Sequence, residues 1–149
     1  MSLSIGAARP EDAQALARLL TLLGYPSAAE QVVERLGYWE GQPRSAVLAA
    51  REGEELLGCL AVHAAPYFER TGRWARIQAL VVGDTGRRRG VGRALVAAAE
   101  QLAREWGCLM IEVTSSRRRV DAHAFYRELG YVDQSERSGL FLKDLAPQT

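Results

Sequence analysis

The stretch between residues 74 and 114 constrains the fold more than any other part of the chain. Residues 74–82 form a strand-like run whose last six positions are apolar apart from Gln78. Residues 90–106 repeat apolar side chains at helical spacing, and residues 109–114 form a second apolar run. Because a strand, a helix and a returning strand make a right-handed crossover, the two strands are predicted to be parallel.

A basic, glycine-bearing loop with the pattern Arg87-x-x-Gly90-x-Gly92 joins the first of these strands to the helix. The first turn of a helix has N–H groups without intrahelical acceptors and a partial positive charge, so a loop at that point is suited to a pyrophosphate. No Gly-Lys-Ser/Thr completes a P-loop, and no G-x-G-x-x-G opens the helix. The loop is therefore either an anion cradle or a solvated basic turn.

The rest of the chain predicts the order β-α-α-β-β-β-α-β-α-β-β, with an antiparallel meander before the parallel pair. Besides the segments already described, strands are predicted at residues 3–8, 46–51 and 55–64, and two closing strands within residues 131–145. Helices are predicted at residues 10–23, 28–39 and 123–129. No repeat or linker divides the sequence, so residues 1–149 are predicted to form a single domain.

Composition narrows the functional classes. The 149 residues are 48% hydrophobic and 25% charged, which is typical of one globular domain, and 19 basic against 18 acidic residues leave a net charge of +1. The protein therefore has no overall electrostatic field that would favour binding to nucleic acid or to a membrane surface. Cys59 and Cys108 lie in apolar runs without metal-ligand spacing, so no metal site is expected. Without a signal segment or an apolar run long enough for a membrane span, a cytoplasmic protein is expected.

A second motif, Ala122-x-x-Phe125-Tyr126 followed by Gly130-Tyr131, lies in the predicted late helix. Together with Arg87-x-x-Gly90-x-Gly92 it resembles the GNAT N-acetyltransferase superfamily. The resemblance implies an α/β (α+β) fold with a mixed sheet of about seven strands, a splayed parallel pair and about four helices. It also implies acetyl-CoA as co-substrate and direct transfer of the acetyl group to a primary amine, with a small molecule as the expected acceptor.

The resemblance assigns the cofactor contacts to the central strand, the glycine loop and the late helix. Backbone groups of the strand would pair with the pantetheine arm, loop amides would hold the pyrophosphate, and Phe125 would pack on the arm. The Tyr126 hydroxyl would be the general acid, unless that residue is only an amphipathic core side chain. The implied set is Leu80, Val81, Val82, Arg87, Arg88, Arg89, Gly90, Val91, Gly92, Arg93, Ala94, Ser115, Phe125 and Tyr126. Ser115 enters because Arg119 replaces an Asn that is frequent in related sequences.

The general base is missing from its usual place, because many family members have a carboxylate on the central strand where this chain has residues 76–79, Arg-Ile-Gln-Ala. Gln78, expected to share a face with Leu80 and Val82, can position a water or the acceptor but cannot take a proton. Glu112 and His63 are the candidate bases. Each is alternatively an ordinary strand side chain, and a water chain is an equal alternative.

The acceptor side is predicted to involve the second helix and the loop at residues 65–74. The aromatic candidates for its walls are Tyr25, Trp39, Tyr67 and Phe68, with Glu69 as a candidate for an ammonium group. The alternative function is a non-catalytic acyl-CoA-binding module with a regulatory or assembly role. A nucleic-acid-binding module, suggested only by the arginine runs at residues 87–89 and 117–119, ranks lowest. The expected partners are a small-molecule amine and, as an assembly, a homodimer.

Overall fold

Five strands and four helices occur in the part of the chain that the computed structural model describes, residues 2–87, 89–114 and 120–146. The strands are β1 (Leu3–Ala7), β2 (Ser45–Glu52), β3 (Glu55–Pro66), β4 (Arg73–Val82) and β5 (Cys108–Val113). The helices are α1 (Ala13–Leu23), α2 (Ala29–Glu40), α3 (Val91–Glu105) and α4 (Val120–Glu128). This order confirms the prediction as far as α4. The chain divides into two compact units, Met1–Thr114 and Ser115–Thr149.

The first unit is built on a mixed sheet with the strand order β1-β2-β3-β4-β5. Neighbouring strands are antiparallel from β1 to β4, and β4 and β5 are parallel. A tight turn with Gly53 at φ +63 joins β2 to β3. The antiparallel meander and the parallel pair are both confirmed, and the parallel pair follows from the crossover through α3.

Helices cover both faces of this sheet. Cys59 of β3 and Val81 of β4 pack in one buried cluster with residues of α1 and with Val32 of α2. The adjacent Gly58 faces the other way, since a Cβ there would lie 3.2 Å from Val91 and 3.3 Å from Leu95 of α3. Because successive strand residues point to opposite faces, α1 and α2 lie on one side of the sheet and α3 on the other.

An ion pair fixes the start of α1 to the sheet. The Arg51 guanidinium on β2 donates to both carboxylate oxygens of Asp12, at 2.7 and 2.5 Å, and the Arg9 N–H donates to Asp12 at 2.8 Å. The hydrogen bond from Arg51 lowers the pKa of Asp12, although burial acts in the opposite direction. This bidentate contact holds α1 against β2, which helps to fix the helical layer on that face.

The second unit contains α4 and the chain that follows it. Gly130, at φ +92, ends the helix, and the Tyr131 N–H donates to the Tyr126 carbonyl at 3.0 Å. The two closing strands predicted within residues 131–145 are wrong, so over the described residues the sheet has five strands rather than about seven. A strand forms only when its backbone is paired. The backbone bonds found here are local, from Arg137 and Ser138 to the Gln134 carbonyl, and Phe141 is 93% exposed.

Candidate functional site

A β-bulge interrupts the middle of β4. Val62 of β3 is opposite Ile77, and Ala61 is opposite Ala79, so Gln78 is the extra residue with no partner on β3. A bulge re-aims the side chains that follow it. Gln78 consequently lines a cavity on the α2 side of the sheet, whereas Leu80 is opposite Leu60. Leu60 shares the α3 face with Gly58. The prediction that Gln78 shares a face with Leu80 and Val82 is therefore wrong.

The parallel pair opens at the same point of the sheet. Pairing between β4 and β5 ends at Ile77 opposite Val113, while β4 continues to Val82. Within the described residues, Gln78–Val82 thus has no strand partner on the β5 side. The N–H and C=O groups on such an edge can pair with an extended ligand, as they would with another strand. This opening is the splay that the sequence analysis anticipated, and it includes Leu80, Val81 and Val82.

The chain passes from this edge into α3 through a short loop. A 3₁₀ turn at Asp84–Gly86 follows β4, and Gly90 is the N-cap of α3 with φ +77. Glycine adopts this conformation without strain. The N–H of Ala94 donates to the Gly90 carbonyl at 3.0 Å, which starts the helical ladder. The amides before it, including those of Val91 and Gly92, are oriented toward the helix end, where an anion is favoured.

The loop arginines have different surroundings. The Arg89 guanidinium forms an ion pair with Glu52 at the β2–β3 turn and also donates to the Thr85 carbonyl at 3.3 Å. Arg87 lies 3.5 Å from Asp84 in a pair whose side chains are largely exposed, so its guanidinium is weakly held. Arg89 therefore anchors the loop, and Arg87 is the better candidate for a phosphate contact. The predicted contacts Arg88 and Ser115 lie outside the described residues.

A cavity of about 330 Å³ lies on the α2 side of the sheet. It is lined by residues from the end of α2, the following loop, β2, β3 and β4: Tyr38, Trp39, Gln42, Pro43, Ser45, His63, Ala64 and Gln78. The His63 ring has edge contacts with Trp39 at 6.0 Å and Trp74 at 6.3 Å between centroids. Of the four aromatic residues predicted to form acceptor walls, Trp39 lines this cavity. Tyr25, Tyr67 and Phe68 do not, and Phe68 is fully exposed.

His63 is held in a state that suits a proton acceptor. Its Nε2 is buried and has no hydrogen-bond partner. Burial lowers the pKa of His63, the nearby Arg76 charge lowers it further, and Glu112 partly opposes both effects. The imidazole is therefore more fully neutral near pH 7 than an exposed histidine would be.

Arg76 and Glu112, the two charged groups that shift the pKa of His63, are register partners across β4 and β5. Arg76 is also opposite His63 across β3 and β4. Its Nη2 is 3.4 Å from the Thr114 hydroxyl, and its Nε is buried without a partner. Glu112 is exposed, and no ion pair within 4.0 Å joins it to Arg76. The structure thus brings His63 and Gln78 to one cavity, and Glu112 is exposed and does not line it.

The two cysteines are poor nucleophiles. Burial raises the pKa of Cys59 to about 12 and also raises the pKa of Cys108. A thiol that stays protonated does not attack an acyl group, so neither residue suits a covalent route. No group of three metal-ligating side chains occurs among the residues that the structure describes.

In the second unit, the late-helix motif forms an aromatic group of three rings. The Tyr126 ring is 5.2 Å from Phe125 and 5.8 Å from Tyr131, between centroids. Both Phe125 and Tyr126 are half-buried. The motif therefore has a defined local geometry, while the roles assigned to Phe125 and Tyr126 stay predictions.

Comparison with known proteins identifies the family. The profile described as acetyltransferase (GNAT) family matches residues 13–131. The chain belongs to this family. An aminoalkylphosphonate N-acetyltransferase from Salmonella typhimurium (strain LT2) is 36% identical over 84 residues, which is 56% of this chain. The match spans about half, 54%, of that relative's length.

Two solved structures share the fold of this GNAT chain. A transcriptional regulator from Bacillus halodurans C-125 has a TM-score of 0.86 at 24% identity, covering 96% of this chain and 100% of that one. A GNAT family acetyltransferase from Staphylococcus aureus has a TM-score of 0.79 at 23% identity, covering 97% and 100%. No helix in the described segments is both long and apolar enough to cross a membrane.

Several residues of the cavity escaped the sequence analysis. Tyr38, Gln42 and Ser45 come together only because the end of α2 folds over the sheet. The bulge had one sequence signal, a polar Gln78 within an apolar run, and its position depends on pairing with β3.

Proposed function

We propose that this GNAT protein is an acetyl-CoA-dependent N-acetyltransferase that moves the acetyl group directly to the primary amine of a small molecule. The observation that carries the proposal is the double role of Gln78. The unpaired edge of β4 begins at this residue, and the same residue lines the cavity beside His63. A donor on the edge and an acceptor in the cavity would therefore meet at the bulge, as direct transfer requires.

The donor site would use backbone groups at both ends of the β4–α3 connection. The amides at the start of α3 and the Arg87 side chain would hold the pyrophosphate, with Gly90 allowing close approach. Since this loop follows Val82, the pantetheine arm would run back along Leu80 toward Gln78. Acetyl-CoA supplies the acetyl thioester, and this direction brings the reacting carbon to the bulge.

The acceptor's proton would leave through His63. In the transfer, the amine nitrogen bonds to the acetyl carbon, the carbon–sulfur bond breaks, and the thiolate takes a proton from the Tyr126 hydroxyl. The neutral imidazole of His63 takes the proton that the amine gives up, and Gln78 positions the amine by hydrogen bonding. Glu112 is a weaker candidate base because it is exposed and does not line the cavity.

The comparisons support the coarser part of this proposal. Similarity to an N-acetyltransferase with a small-molecule acceptor favours transfer to nitrogen. We further propose a cytoplasmic location, where acetyl-CoA is available. A homodimer is the proposed assembly, to be tested by light scattering.

Thermal stabilisation by acetyl-CoA tests the donor site. Gly90→Glu places a carboxylate at the phosphate position, and Gly107→Glu is its matched control, because Gly107 has φ +75 against +77 and lies at the far end of α3. Ligand at a hundred times its Kd stabilises the folded state by about 2.7 kcal/mol. We expect that gain in wild type and Gly107→Glu but not in Gly90→Glu. No gain in wild type would contradict acetyl-CoA binding, and equal gains in both variants would contradict its placement.

Thiol release with a panel of primary amines tests catalysis. Wild type is expected to release CoA with at least one amine, and Tyr126→Phe to slow release by roughly a hundred-fold or more, the usual contribution of a general acid. Release that Tyr126→Phe leaves unchanged would refute the acid assignment. If no amine is acetylated although acetyl-CoA binds, the non-catalytic acyl-CoA-binding module is favoured. The absence of a carboxylate on β4 is the observation that keeps this second function open.

A further inference from the structure

Two residues with an unpaired polar atom lie opposite each other on the sheet. Within the described ranges, the buried side-chain nitrogen or oxygen atoms without a hydrogen-bond partner are His63 Nε2 and Arg76 Nε. These residues are direct cross-strand partners on β3 and β4, so both side chains are on the α2 face. Buried polar groups are nearly always paired, and leaving one unpaired costs stability. Two such atoms on neighbouring residues indicate a place where a ligand completes the bonding.

The basic group at this place, the Arg76 guanidinium, has no ion-pair partner among the described residues. The cavity lining contains no carboxylate, and the basic residue Arg76 lies beside that lining, opposite His63. Glu112, its neighbour on β5, forms no ion pair with it, and the bond to the Thr114 hydroxyl is long at 3.4 Å. A guanidinium whose Nε is buried and which has no acidic partner favours an anion, and its planar fork suits a group with two oxygens.

The position of Arg76 relative to the reaction centre limits the ligand's size. Arg76 is two residues before Gln78 on the same strand, so their α-carbons are about 7 Å apart at the usual rise of a strand. An amine at Gln78 with an anionic group at Arg76 would therefore have a short chain between the two groups. Trp74, also on this face, and the His63 ring would flank that chain.

We propose that Arg76 recognises an anionic group on the acceptor, so that the substrates are short primary amines ending in a carboxylate, phosphonate or phosphate. This inference rests on the proposed N-acetyltransferase function. It gives Arg76 a role in specificity and leaves the proton transfer to His63.

Three amines with the same aminoethyl group test it: ethanolamine, β-alanine and 2-aminoethylphosphonate. In wild type, kcat/KM is expected to be roughly ten- to a hundred-fold higher for the two anionic amines than for ethanolamine, the usual worth of a charge-assisted contact. Arg76→Gln should abolish that preference by raising KM for the two anionic amines. The proteins are compared at alkaline pH, where His63 is neutral in each, because loss of the Arg76 charge also raises the pKa of His63. Arg76→Lys should retain part of it. Arg104→Gln, an exposed arginine on α3, is the matched charge control and should behave as wild type.

The outcomes separate the two levels of the proposal. If wild type acetylates ethanolamine as efficiently as the anionic amines, or if Arg76→Gln slows all three equally, the role of Arg76 is refuted while the N-acetyltransferase function stands. Failure of all three, and of the wider amine panel, would contradict the function itself.

A binding measurement gives an independent readout. 2-Aminoethylphosphonate should stabilise the CoA-loaded protein against heat, ethanolamine should not, and Arg76→Gln should remove the stabilisation; no stabilisation of wild type would overturn the inference.

Discussion

The proposed donor edge and the proposed acceptor cavity are built from different parts of the polypeptide. The edge at Gln78–Val82 and the start of α3 present backbone groups, and their shape depends on where pairing stops and on the φ angle of Gly90. The cavity presents side chains, chiefly the His63 imidazole between Trp39 and Trp74. A site made of backbone tolerates changes of sequence outside a few glycines, whereas a site made of side chains changes with each substitution. Variation among relatives should therefore alter the acceptor more readily than the donor.

The largest effect that separates the two regions is expected from His63→Gln. Loss of the proposed base should lower kcat roughly a hundred-fold at pH 7, within the range for general-base catalysis, and leave the KM for acetyl-CoA unchanged. In wild type the rate should fall as the pH drops below the ordinary histidine value of 6.5, because the pKa of His63 is lowered. Steady-state kinetics between pH 5 and pH 9 measure both. A variant that keeps the wild-type rate and acid limb would exclude His63 as the base.

This division explains how much of the molecule its sequence could predict. The order of elements through α4 followed from apolar periodicity, and the parallel pair followed from the crossover. The donor loop was predictable because a glycine at a helix start has a local, conformational cause. The bulge at Gln78 was not, since it depends on which β3 residues are opposite β4.

The cavity and the end of the sheet could not be predicted, because both depend on tertiary contacts. Trp39 and His63 are far apart in sequence and meet only when α2 packs on the sheet. The two closing strands failed because alternating apolar residues such as Leu140 and Leu142 do not make a strand without a backbone partner.

The next largest effect concerns the packing beneath the donor edge. A Cβ at Gly58 would lie 2.9 Å from the Val81 carbonyl and 3.2 Å from Val91. Gly58→Ala should therefore destabilise the fold by about 1–3 kcal/mol, the typical cost of overpacking. Gly6→Ala, also in a strand but with nothing within 4 Å of the added Cβ, is the control. Urea denaturation compares the two variants. Equal unfolding midpoints for Gly58→Ala and Gly6→Ala would show that β4 and α3 move apart enough to accommodate the added methyl group.

A smaller effect is expected where the loop is anchored. Glu52→Gln removes the charged partner of Arg89, and the KM for acetyl-CoA should rise roughly two- to five-fold, because a partly exposed ion pair is worth at most about 1 kcal/mol. The KM for the amine should not change. Glu55→Gln, the register partner of Glu52 on an exposed position, is the matched control. Steady-state kinetics are measured with acetyl-CoA varied and then with the amine varied. A rise in KM for acetyl-CoA alone indicates anchoring of the donor loop, whereas a change with both substrates indicates a general loss of activity.

The smallest effect is a pH dependence of stability in the acceptor region. Since burial lowers the pKa of His63 in the folded protein below its ordinary value of 6.5, the unfolded chain takes up the proton first as the pH falls. Wild type should thus lose stability as the pH falls from 6.5 to the pKa of His63 in the folded protein. Well above pH 6.5, His63 causes no such loss. His63→Asn should lose less stability between pH 7.5 and 5.5. Equal losses, measured by urea denaturation, would show that His63 is not constrained.

A crystal structure with bound CoA tests the meeting of donor and acceptor at Gln78 most directly. The predicted result is a pantetheine arm paired with the backbone of Leu80–Val82, a pyrophosphate at the amides following Gly90, and the sulfur nearest to Gln78 on the side that opens to the His63 cavity. An arm bound away from β4, or a sulfur at the Val82 end with the pyrophosphate near Gln78, would contradict it.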